Sequence, residues 1–169
     1  MRGMVPFVVA GFAACANAQM LGHDLTAEWR YPDFNSSIES HTFTVDAGIE
    51  LTEADILNDD KFAIDVDDAT VSFVFNAASN WSITGFNGWY FEDANGTLPQ
   101  IIGYALDSYS GSGSLVIDAG WNDDAFWANF GGTTVNAGDV LTMRVTFIPA
   151  PGAAALLGFG ALAASRRRR

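Results

Sequence analysis

Phe62-Ala63-Ile64-Asp65-Val66-Asp67-Asp68-Ala69-Thr70-Val71-Ser72-Phe73-Val74-Phe75-Asn76 carries two apolar stripes of period two on either side of a doubled aspartate. Phe62, Ile64 and Val66 alternate with Lys61, Ala63, Asp65 and Asp67; Val71, Phe73 and Phe75 alternate with Thr70, Ser72 and Asn76. In an extended chain successive side chains point to opposite faces, so each run places its rings and branched chains on one face and its polar groups on the other. Asp67-Asp68 has turn chemistry, because a short carboxylate bonds nearby backbone and tolerates a tight reversal. The stretch predicts two antiparallel strands, each with one dry face and one wet face.

The same alternation runs outward in both directions. Leu25, Ala27, Trp29 and Tyr31 alternate with Thr26, Glu28 and Arg30, and Phe43 and Val45 with Thr42 and Thr44. Leu141, Met143, Val145 and Phe147 alternate with Thr142, Arg144 and Thr146. Further strands are expected over 85–92, 101–108, 114–118 and 125–130, with a short one near 49–51. Between them lie turn signals such as Asn95-Gly96, Ser110-Gly111-Ser112-Gly113 and Asn136-Ala137-Gly138-Asp139. One helical turn is expected over 52–57, with Thr52 as its cap and Asp55 three residues on. About ten short strands at roughly 8 to 12 residue spacing predict an all-β fold, a single antiparallel β-sandwich or jelly-roll-like domain over residues 19–148. No internal repeat or second domain is visible.

The chain has 169 residues, 49% of them hydrophobic and 13% aromatic, ample for one packed core. All 20 carboxylates lie between Asp24 and Asp139, while the basic side chains between residues 19 and 148 are Arg30, Lys61 and Arg144. Three cations against twenty anions leave that region at −17. Nothing there could supply the basic face that phosphate binding needs, so a nucleic-acid partner is excluded. Catalytic parts are equally scarce: two histidines, His23 and His41, no Gly-x-Ser-x-Gly elbow and no His-Glu-x-x-His. Two carboxylates alone can hydrolyse a glycosidic bond, but no spacing singles out a pair. The expected class is therefore non-enzymatic, with a carboxylate-based glycan hydrolase as the third reading.

Two constellations have binding chemistry. Asp65, Asp67 and Asp68 put carboxylates on one strand and its following turn, which suits calcium, although an ordinary Asp-rich turn explains the same residues. Asp59-Asp60 and Asn122-Asp123-Asp124 are similar clusters without an EF-hand spacing. Trp81, Trp89, Trp121 and Trp127 lie near Asn80, Asn87, Asn122 and Asn129, the mixture of flat apolar ring and amide that stacks on and hydrogen-bonds a sugar. The competing reading is that these rings fill the core. In Trp89-Tyr90-Phe91 neighbouring rings must take opposite faces, so at least one lies outside the core or under a loop.

The ends read as addresses. Arg2, the apolar run 5–14 and Ala16-Asn17-Ala18 before Gln19 have the order of a secretory signal peptide, with cleavage expected between Ala18 and Gln19. Phe12-Ala13-Ala14-Cys15 approximates a lipobox, a rival reading in which Cys15 would be acylated; otherwise the mature chain has no thiol. At the other end Pro149-Ala150-Pro151 precedes an apolar run to Ala164, then Ser165 and Arg166, Arg167, Arg168 and Arg169. An apolar helix of that length covers only about 20 Å of a ~30 Å hydrocarbon layer and needs snorkelling arginines to span it.

This tripartite tail, residues 149–169, resembles the PEP-CTERM sorting signal. There a Pro-Glu-Pro-like motif, a hydrophobic helix and an arginine-rich end are recognised by a membrane-embedded exosortase in bacteria that make exopolysaccharide. Pro149 and Pro151 match the motif's prolines, whereas Ala150 stands where the glutamate would be. An uncut tail anchor is the plain alternative. The resemblance implies export to the cell envelope, cell surface or extracellular matrix, an exosortase-type partner and at least transient membrane contact. The mature domain is then expected to be structural or adhesive; the alternative is a carbohydrate-binding module for exopolysaccharide, with calcium as an optional stabilising ion.

Overall fold

The computed structural model describes residues 20–56 and 62–148. The expected signal peptide over 1–18 with Cys15, its expected cleavage junction Ala18–Gln19, the Asp59-Asp60 cluster, and the tail with Pro149, Ala150, Pro151 and Arg166 to Arg169 lie outside the described residues. Among the described residues all regular structure is β, and no helix is long and apolar enough to cross a membrane. The strands are β1 (Asp24–Arg30), β2 (Ser37–Thr44), β3 (Ile49–Leu51), β4 (Phe62–Val66), β5 (Thr70–Phe75) and β6 (Ser79–Asn80). They continue as β7 (Gly88–Asp93), β8 (Ile101–Ser110), β9 (Asp118–Trp121), β10 (Ala125–Asn129), β11 (Thr134–Val135) and β12 (Val140–Phe147).

Two five-stranded antiparallel sheets result, ordered β2-β1-β7-β10-β9 and β3-β4-β5-β12-β8, with β6 and β11 forming a separate short ribbon. The β4–β5 pair turns through Asp67, whose amide donates to the Thr70 carbonyl at 2.8 Å, as the doubled aspartate predicts. Ile64 stands opposite Phe73 and Phe62 opposite Phe75, so the apolar stripes of the two strands coincide. Leu25, Ala27, Trp89, Phe91, Phe126 and Ala128 of the first sheet and Phe62, Ile64, Phe73, Leu141 and Met143 of the second belong to one buried cluster. Rings meet across it: Phe62 on Trp89 at 6.0 Å and 83°, Phe73 on Phe91 at 6.4 Å, and Tyr104 on Phe126 at 4.8 Å between centroids. The first two are edge-on, an arrangement that suits the ring quadrupoles.

Several boundaries differ from the sequence expectation, each for a local reason. β7 begins at Gly88 and not at Gly85, because Asn87 Nδ2 donates to the Ser82 carbonyl and Thr84 Oγ1 to the Phe86 carbonyl, holding 82–87 as a loop. The strand expected over 114–118 reduces to an isolated bridge between Ser114 and Thr134, and pairing starts only at Asp118. Over 52–56 there is a turn and no helix: the Asp55 carboxylate accepts from the Thr52 amide at 2.9 Å and from its hydroxyl at 2.6 Å, while the Asp55 amide donates to the Thr52 carbonyl.

A carboxylate clamps the Ser110-Gly113 loop. Asp139, 3% exposed, accepts from the Tyr109 hydroxyl at 2.6 Å and from the amides of Asn136, Ser112 and Gly113. The Tyr109 hydroxyl, then the backbone amides, hold its carboxyl below the usual aspartate range. A depressed folded-state value means that the clamp's stabilisation is complete above the ordinary aspartate value, about pH 4, and disappears as pH falls through the lower folded one. Asp139→Asn is therefore expected to lower Tm at neutral pH, with the gap to wild type narrowing below about pH 4. A gap independent of pH between 7 and 2 would remove the charged clamp from the account.

Candidate functional site: a two-tryptophan groove

The chain leaves β1 at Arg30 and re-enters the sheet as β2 at Ser37, so Trp29, Tyr31 and Ile38 come to one end of the first sheet. The β6–β11 ribbon is laid beside them. Thr134 stands opposite Asn80, the Trp81 amide donates to the Thr133 carbonyl at 2.9 Å, and the Trp81 carbonyl accepts from the Gly132 amide at 2.9 Å. Between these segments lies a groove of about 330 Å³ walled by Trp29, Tyr31, Ile38, Asn80, Trp81 and Asn87. That volume is at the small end of the range for ligand sites, of the order of one or two sugar rings.

The two indoles meet at 6.2 Å and 64°. Trp81 is fixed from behind by Phe130 at 5.0 Å and Phe62 at 5.9 Å, which anchors the groove wall in the core. Trp29 Nε1 donates to Asn87 Oδ1 at 3.3 Å, Asn87 Nδ2 donates to the Ser82 carbonyl at 3.2 Å, and the Asn87 amide donates to Asn129 Oδ1 at 3.0 Å. The first two of these bonds hold the Asn87 side chain, 5% exposed, in one orientation, and the third fixes its backbone. Trp81 Nε1 is buried and has no acceptor. Trp89 Nε1 and the Tyr104 hydroxyl are also buried without partners, but neither residue reaches the groove. Ile38 is half-exposed, and none of the lining side chains carries a carboxylate, ammonium or guanidinium.

The four tryptophans singled out in the sequence part company. Trp81 lines the groove although only 7% of it is exposed. Trp89 is fully buried between the sheets, where Phe62 and Phe91 pack against it, so it is a core ring and not a platform. Trp127 lies with Tyr90 on the outer face of the first sheet, near-parallel at 19°, and leans over Gly120, where a Cβ would come within 2.5 Å of the indole. Its surroundings are covered as well: Phe34 packs edge-on against Trp127 at 5.1 Å and Tyr90 at 5.7 Å, and the Arg30 guanidinium sits 3.5 Å from the Tyr90 centroid while pairing with Glu28. Tyr90 is the ring that leaves the core in Trp89-Tyr90-Phe91, and it is closed over by Arg30 and Phe34. Trp121, on the edge strand β9, is 46% exposed and away from the groove.

Among the described residues no three His, Cys, Asp or Glu side chains converge to hold a metal ion. Asp65 and Asp67 are near enough for Asp67 to add to the burial that raises the Asp65 carboxyl. They do not close a ligand set with Asp68. Asn122 Oδ1 is occupied by the amides of Asp124 and Ala125, and Asp123 Oδ1 by Gln100 Nε2. Asn80 and Asn87 belong to the constellation read in the sequence, whereas Trp29, Tyr31 and Ile38 do not. Trp29 reads simply as a core position of β1, and nothing in the local pattern places it beside Trp81, 52 residues further on. No family model matches the chain, and no curated protein or solved structure matches it.

Proposed function

We propose that this is an exported cell-surface or extracellular-matrix protein whose β-sandwich domain adheres to exopolysaccharide through the Trp29–Trp81 groove. Export rests on the signal-peptide pattern of residues 1–18, and retention on the PEP-CTERM-like tail and an exosortase-type enzyme acting on it. The observation that carries adhesion is the groove itself, two indoles and two asparagines around a space of sugar size. The two sheets sharing one aromatic core support the sandwich reading and make the groove wall rigid, which reduces the ordering cost of binding. Binding is favoured over hydrolysis because the groove's own lining holds no carboxylate to act as acid or nucleophile.

Trp29→Ala removes the partly exposed wall ring without emptying the centre of the core. Its retention on the producing cells' exopolysaccharide is expected to weaken by about tenfold or more, the usual effect of truncating a central tryptophan. Trp121→Ala serves as the control and is expected to bind as wild type. Equal retention of both variants in a sedimentation assay would sink the adhesive reading of the groove.

A further inference from the structure

We infer that the groove selects uncharged sugar residues and rejects anionic ones, an inference that rests on the adhesive reading just given. Recognition inside the groove is by apolar ring faces and neutral amides and hydroxyls: Trp29, Tyr31 and Trp81 with Asn80 and Asn87. The Asn87 amide already has its oxygen bound to Trp29 Nε1 and its nitrogen bound to Ser82, so it shapes the wall. Asn80, at an exposed position on β6, presents the groove's other side-chain amide to the hydroxyls of a bound ring, whereas Trp81 Nε1 is buried beyond a ligand's reach.

Charge points the same way. A uronate or sulfated residue would bring a carboxylate or sulfate into a groove with no cation among its lining side chains. It would also have to approach a domain whose three basic residues face twenty carboxylates. Arg30 is engaged by Glu28 and by the Phe34 carbonyl, and Arg144 by Asp107. Long-range repulsion slows the approach of a polyanion, and an unpaired charge in the groove adds its own desolvation cost. An amino sugar is drawn by the same long-range field, but inside the groove no carboxylate lines the wall to pair with its ammonium, whose desolvation is left uncompensated. The occupant is thus a neutral pyranose unit, held by stacking and hydroxyl contacts.

The test is calorimetric titration of the full-length chain in mild detergent with neutral hexose, uronate and amino-sugar oligosaccharides of matched length, at low and high salt. Neutral oligosaccharides are expected to bind about tenfold or more tightly than the uronates at low salt, with little change in their own affinity as salt rises. Asn80→Ala, at an exposed position, removes the amide that meets the sugar hydroxyls and is expected to weaken neutral binding about fivefold. Preferential binding of uronates or amino sugars, abolished by Trp29→Ala, would overturn the selectivity and leave the adhesive groove standing. No binding to any oligosaccharide or to the native polysaccharide would overturn both.

Discussion

Phe73→Ala is expected to lower the unfolding free energy by about 3–5 kcal/mol, the range for emptying a fully buried phenylalanine position. Phe73 is wholly shielded from solvent and stands in the middle of β5, opposite Ile64 of β4 and Leu141 of β12. Its ring meets Phe62 of its own sheet at 6.4 Å, Phe91 of the other sheet at 6.4 Å, and Phe130, after β10, edge-on at 5.0 Å. Removing it opens a void where the two sheets meet, and rings held on three sides cannot collapse into it fully. Against a typical total of about 5–15 kcal/mol, the loss is a large part of the domain's stability. Denaturant titration should show a lower midpoint at an unchanged slope. Phe73→Leu is expected to recover much of the loss, and Ile83→Ala, at a side chain 86% exposed, should stay within about 0.5 kcal/mol of wild type. If the first and last of these variants unfold alike, the shared aromatic core is not what holds the sheets.

The stripes that build this core are the part of the molecule most open to reading from the chain. β4, β5 and β12 alternate over five or more residues with rings and branched side chains on the buried face, so strand and core face emerge together from one period. Asp139 and the Asp67 turn also announce themselves, since short carboxylates beside glycine or before a strand have few other uses. β6 and β11 do not, because two-residue strands have no period and exist only through their pairing with each other. β2 starts five residues earlier than Thr42 because Ser37–His41 is mostly polar on an edge strand, with ladder bonds to β1 supplying what apolar burial does not.

The groove was half legible for the same reason. Trp81 beside Asn80 has local binding chemistry, but Trp29 and Ile38 reach the site only through the turn between β1 and β2, and Asn87 only through a loop held by Ser82 and Asn129. Chemistry repeated along the chain, as in Trp89 and Trp127, was a poor guide. Strand phase sends Trp89 inward, and Phe34 closes over Trp127 from a loop that no period predicts.

Gly88→Ala is the other substitution with a large expected effect, about 1–3 kcal/mol or more, and it connects the fold to the groove. Gly88 opens β7, in register with Arg30 of β1 on one side and Asn129 of β10 on the other. A methyl group there would overlap the Ala128 carbonyl oxygen and lie 2.9 Å from both the Ala128 carbonyl carbon and the Asn129 Cα. These are backbone atoms of a paired strand, so no rotamer change relieves the clash; β7 and β10 must separate locally. Gly103→Ala makes the contrast, since its Cβ would meet only the Thr146 side chain at 3.4 Å, an ordinary contact. Separation at Gly88 also strains the bonds next to it, the Asn87 amide to Asn129 Oδ1 and the Phe130 amide to the Asn87 carbonyl. Asn87 in turn orients Trp29, so Gly88→Ala should both speed amide exchange at Phe130 and weaken polysaccharide retention, whereas Gly103→Ala should do neither. Destabilisation with retention intact would separate the groove from the β7–β10 seam and place its rigidity in the β6–β11 ribbon alone.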